Sequence, residues 1–135
     1  AELLALMRKT EAELSKVDGE DFTAIRAGLS AGIAAFTECS EWIAANYDKD
    51  VKAVHAGSVP FLKLTGIVTG GWQMARSAMI ARQKLSSGSS EQSFYQSKIL
   101  TARFFADHFL SQAAGLKAAI TQGSKAALAM AEDQF

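Results

Sequence analysis

Two histidines and a single cysteine are the residues of this sequence best suited to proton transfer, nucleophilic attack or metal binding. None stands in a pattern that such chemistry uses. A di-iron carboxylate centre in a helical protein needs Glu-x-x-His, so that both side chains leave one side of a helix a turn apart. Here Lys52 stands three residues before His55, and Phe105 three before His108. The CxxCH spacing of covalent haem, the HExxH spacing of zinc hydrolases and the GxSxG turn of serine hydrolases are all missing. Glu38 and Glu41 have the one-turn spacing that shared proton work would need, but both fall off the apolar stripe of their segment and read as a solvated face. Gly70-Gly71 lies within a helical pattern instead of between a strand and a helix, so it reads as packing and not as a phosphate cradle. The expected inventory is therefore no catalytic, cofactor-binding or metal-ligating residue in this chain.

Cys39 falls on an apolar stripe, where a cysteine behaves as a small inert core residue. His108 is the more tempting position. It stands in "FFADHFLSQAAGLKAAI" (104–120), beside Asp107, one turn after Phe104 and one place before Phe109. That register puts it on the flank of a helix, as a structural or surface histidine with few ligand neighbours; the alternative is a contact with another chain or domain.

The elements that would position these residues follow from apolar spacing. Leu3, Met7, Thr10, Leu14 and Val17 form one helical stripe, closed by the turn "DGED", where Asp21 is placed to cap the next helix. Phe22, Ile25, Leu29, Gly32, Phe36, Cys39 and Ile43 form a second, running to about Tyr47. In "DKDVKAVHAGSVP" both Asp50 and Ser58 could start a helix, and the preferred reading is one helix from Val51 kinked at Pro60. It continues through Leu64, Ile67, Gly71, Met74, Ala78, Ala81 and Leu85 to "SSGSS", where Gly88 can take the left-handed backbone. Ser89 and Gln92 have capping-box spacing. The fourth stripe reads Tyr95, Ile99, Ala102, Ala106, Phe109, Ala113, Leu116 and Ile120, with Gly123 ending it and "SKAALAMAEDQF" forming one short helix more.

These stripes predict an all-α fold, an up-down-up-down four-helix bundle with a short C-terminal helix, its long helices about 40 Å in length. Small stripe residues such as Gly32, Gly71, Ala102 and Ala106 would let Phe36 and Phe109 interdigitate across the core.

Composition agrees and narrows the function. At 135 residues, 49% hydrophobic, with one proline, the chain suits a single domain (1–135) that buries its core without staples. Fourteen basic residues balance fourteen acidic ones, which removes the electrostatic footprint of a nucleic-acid binder. One cysteine and no signal segment predict a cytoplasmic protein, and charged residues interrupt every apolar run before membrane-spanning length. Membrane-surface binding is also disfavoured, since Arg76, Arg82 and Lys84 do not line up as a basic stripe. The first residue, alanine, fits either a piece of a longer protein or ordinary loss of an initiator methionine.

What the stripes leave outside is more informative. Leu62 and Ile80 on the third helix, and Leu100 and Phe104 on the fourth, are apolar residues on outward positions; with His108 they are the candidate interface.

Two stretches, "PFLKLTGIVTGGWQMARSAMIA" (60–81) and "FYQSKILTARFFADHFLSQAAGLKAAI" (94–120), resemble the C-terminal helical domain of the acyl-CoA dehydrogenase family, in the branch similar to methylmercaptopropionyl-CoA dehydrogenase. The likeness extends over nearly the whole chain, and "GGW" followed by "AR" and the later "TARFFADH" are its most specific parts. It implies a flavoenzyme that removes hydrogens from the α and β carbons of an acyl-CoA thioester and passes a hydride to FAD. It also implies that the glutamate base and the FAD contacts lie in catalytic domains absent from this chain. The partners implied are those catalytic domains and further copies in a homo-oligomer, and the fragment reading of Ala1 is favoured. One departure is visible: the family often has a leucine-proline pair where this sequence has Leu110-Ser111, so the resemblance does not fix the end of the fourth helix. A free-standing interaction module is the alternative reading of the same residues.

Overall fold

The computed structural model describes residues 2–134; Ala1, and Phe135 at the end of the expected short helix, lie outside them. The described residues are helical, with turns and no strand. In chain order they form α1 (Glu2–Leu14), α2 (Glu20–Asn46), α3 (Val51–Ala56), α4 (Ser58–Ser86), α5 (Gln92–His108), a 3₁₀ turn (Leu110–Gln112), α6 (Ala113–Gln122), α7 (Ser124–Ala129) and a second 3₁₀ turn (Glu132–Gln134). Five of the α-helices among the described residues have ten residues or more, one beyond the four expected, because the fourth stripe is divided between α5 and α6.

The core is built where the stripes meet. α5 packs on α4, both pack on α2, α1 contacts α2 and α4, and α6 packs against the same two helices. Met7, Leu14, Ile25, Leu29, Cys39, Leu64, Val68 and Ile120 are wholly buried. Burial of each of these side chains other than Cys39 contributes on the order of 1.5 to 3 kcal/mol. Stripe positions of all four expected helices, from Met7 on α1 to Ile99, Ala102 and Ala106 on α5, take part. At the edges the stripe drifts, so Leu3 is exposed while Leu4 packs against the core, and Phe36 is half-buried in a stack on Phe61 with ring centroids 5.7 Å apart.

The expected kink at Pro60 is replaced by a break three residues earlier. α3 ends at Ala56, Gly57 intervenes, and α4 starts afresh at Ser58. Pro60 therefore sits in the first turn of α4, where backbone N–H groups have no intrahelical partner and a missing one is no loss. The Asp50 cap does form, its carboxylate accepting from the Ala53 N–H at 3.0 Å. At Gly57 a side chain would meet the backbone of α6, since a β-carbon there would lie 3.2 Å from the Ile120 carbonyl oxygen.

The fourth expected helix is also broken. Its stripe runs unbroken through Phe109 in the sequence, yet α5 stops at His108 and Leu110 opens a 3₁₀ turn. Phe109, expected inside, is 41% exposed, and Leu110 takes the interior place at 2%. The reason is a socket of small residues. β-carbons built on Gly71 of α4 and Gly32 of α2 would come within 2.7 and 3.1 Å of Leu110 side-chain atoms, and one on Gly28 within 3.4 Å. Leu110, four residues beyond the buried Ala106, fills that space and leaves Phe109 outside.

Two expected caps differ in detail. α2 begins after Gly19, so Asp21 lies inside its first turn and accepts from Arg103 at 3.2 Å instead of capping. The Ser89 hydroxyl accepts from the Glu91 N–H while the Gln92 side-chain amide donates to the Ser89 carbonyl, a reciprocal pair displaced from the capping-box pattern. Between them the chain reverses at Gly88 with φ +75°, as the turn composition requires.

Candidate docking surface

The interior offers little to chemistry. Thr10 is the buried polar side chain of the core among the described residues. It accepts from the Trp72 indole N–H at 2.7 Å and donates to the Leu6 carbonyl at 3.3 Å. No buried side-chain nitrogen or oxygen of the described residues lacks a partner, and no three of their His, Cys, Asp and Glu residues are grouped so as to hold a metal ion. Holding a flavin needs polar groups aimed into a dry cavity to receive the pyrophosphate and the ring edge. Small and apolar side chains that fill one another's space do not provide that set, so these residues do not fit the cofactor.

Cys39 is wholly buried on α2. Burial pushes its thiol above the ordinary range, with Lys117 opposing the shift in part. The unfolded chain therefore releases the thiol proton at lower pH than the folded one. This contribution to stability is complete below the ordinary thiol range and falls away as pH climbs through the raised value. We expect a thiol reagent at pH 8 to leave native Cys39 unmodified and to label it at once in denaturant. Rapid labelling of the native chain would show the thiol to be open to solvent.

Charged groups lie on the outside and tie helices together. Arg103 of α5 bonds Asp107 at 2.8 Å and Asp21 of α2 at 3.2 Å, with Glu20 at 3.8 Å. The Asp107 hydrogen bond is the main reason its guanidinium holds its charge more firmly than an isolated arginine. Lys117 of α6 reaches Glu38 of α2 at 2.8 Å, and that bond likewise raises the ammonium. Glu38 is thus one half of an ion pair on the solvent side, and Glu41 is exposed beside it.

All five residues of the expected interface are exposed, but they do not form one patch. Leu62 is 73% exposed and lines an apolar groove with Ile43, Val54, His55 and Phe61, where the end of α2 meets α3 and the start of α4. Ile80 lies in the last third of α4, beside Val17, Arg76 and Met79, in a groove against α1. Leu100, Phe104 and His108 follow one another at single turns along α5. Phe104 and His108 stack with centroids 4.2 Å apart, and Phe109 closes on Phe104 edge-on at 6.4 Å. His108 is therefore half of an exposed aromatic pair, and its carbonyl accepts from the Gln112 side chain at the helix break.

Sequence reasoning missed part of this surface. Val59, on the same side of α4 as Leu62 one turn earlier, is 75% exposed, and Tyr47 and Val51 are exposed nearby in sequence. The signal was present: Val59 and Leu62 are three apart and both precede the first stripe residue Leu64. It was obscured by the assumption of one continuous helix through Pro60. Phe109 was assigned to the core for the same kind of reason.

From residue 3 to residue 131 the sequence matches the family of acetyl-CoA dehydrogenase C-terminal-like domains, and the chain belongs to that family. Over 121 residues, 90% of its length, it is 38% identical to the 3-methylmercaptopropionyl-CoA dehydrogenase of Ruegeria pomeroyi. A stretch of 59 residues, 42% of the chain, is 42% identical to the broad-specificity linear acyl-CoA dehydrogenase FadE5 of Mycobacterium tuberculosis. The matched stretches make up 20% and 10% of those two proteins, so the chain spans a small part of the relatives it resembles.

Proposed function

We propose that this chain is the accessory, non-catalytic C-terminal domain of an FAD-dependent acyl-CoA dehydrogenase. It packs on the catalytic body or on a neighbouring subunit, and so stabilises the assembly or shapes access to the acyl-chain pocket. The observation that carries the reading is the match of residues 3–131 to a C-terminal domain family. The physical support is a core whose buried polar atoms are satisfied, together with apolar side chains such as Leu62, Leu100 and Phe104 left outside. In this reading α5 and α6 together serve as the fourth rod of an up-down-up-down bundle, α1, α2 and α4 being the other three, and the whole chain is one domain. FAD and the catalytic base belong to the parent enzyme's other domains, and the parent works in the cytoplasm as a homo-oligomer. Neither nucleic acid nor a membrane is a partner, and among the described residues no helix is long and apolar enough to cross a bilayer.

Two measurements test this. The purified chain is expected to show no flavin absorbance and no change on adding an acyl-CoA; a bound flavin reduced by the thioester would place the chemistry here. In the parent enzyme Phe104→Ser or Leu62→Ser is expected to weaken assembly or domain docking, seen as earlier dissociation in sedimentation. Assembly unchanged in both variants would remove these residues from the interface. The alternative, a free-standing interaction module using the same exposed residues, predicts that the native reading frame does not continue upstream of Ala1 into a dehydrogenase.

A further inference from the structure

We draw no further inference here: the strongest candidate, the apolar groove walled by Ile43, Val54, Phe61 and Leu62 where the end of α2 meets α3 and the first turns of α4, is an unpartnered face, and nothing in the structure shows what covers it.

Discussion

Leu110→Ala is expected to destabilise the fold by about 2 to 5 kcal/mol, the range for emptying a buried leucine site that cannot collapse. Collapse is prevented here by the surrounding atoms. The leucine fills a socket whose walls are backbone at Gly28, Gly32 and Gly71, on two long helices, and backbone cannot extend a side chain into the void. The reciprocal change acts by crowding. A β-carbon on Gly71 would stand 2.7 Å from both Leu110 methyl carbons, which are themselves held against Gly32 and Gly28. Gly71→Leu is therefore expected to lose about 1 to 3 kcal/mol or more through overpacking. The two effects are coupled. In a Leu110→Ala background the larger side chain enters vacated space, so the double variant should be less destabilised than the sum of the single ones. Chemical denaturation of the three variants measures this. An unchanged melting temperature for Gly71→Leu, or strict additivity, would contradict the socket.

That socket also marks the limit of what local pattern reveals. The interior of α1, α2 and α4 was legible because three- and four-residue spacing alone decides which face is dry: Met7, Leu14, Ile25, Leu29, Leu64 and Ala78 all lie where the stripes put them. Near residue 110 two adjacent apolar residues compete for one interior place. Counted from the buried Ala106, helical spacing allows either Phe109 at i+3 or Leu110 at i+4, and the space between α2 and α4, shaped by glycines far away in sequence, accepts Leu110. The break needs no proline or glycine of its own. It is held by the Gln112 N–H on the Phe109 carbonyl and by the Gln112 side chain on the His108 carbonyl.

Pro60 shows the opposite error. Treating it as a kink assumed that the helix was already under way, when the proline belongs to a first turn. Gly57 supplies the break because the chain there passes against α6, a contact invisible in sequence.

The candidate surface was legible residue by residue and not as a shape. Leu62, Ile80, Leu100, Phe104 and His108 are outward because the stripes leave them so. Whether outward residues of different helices adjoin depends on how those helices rotate and cross. α1 shares a groove with Ile80, while α2 and α3 wall the groove at Leu62, so the five residues divide among three surroundings. The aromatic pair Phe104–His108 is the exception, since one-turn spacing on a single helix brings two rings together whatever the rest of the fold does. The serine variants at Leu62 and Phe104 therefore report separately on two of these three places.

Thr10→Val is expected to destabilise the protein by about 1 to 3 kcal/mol, although the two side chains have nearly the same shape. The hydroxyl joins α1 to α4, accepting from the Trp72 indole at 2.7 Å while donating to the Leu6 carbonyl. Valine leaves the indole N–H facing a methyl group in a partly buried place, and that unmet donor is the larger part of the loss. The lost bond to Leu6 matters less, because that carbonyl is already within a helix. If this account is right, Trp72→Phe should remove the orphaned donor, so adding it to Thr10→Val costs less than adding it to the native chain. The loss of ring volume is common to both comparisons and cancels in the cycle. A coupling energy near zero between positions 10 and 72, measured by urea unfolding of the four proteins, would show that the Thr10–Trp72 bond does not help to hold α1, which the Ser30 hydroxyl on the Glu11 carboxylate also ties to α2. A clear coupling would show that the Thr10 hydroxyl, the buried polar side chain among the described residues, helps to fix α1 on α4.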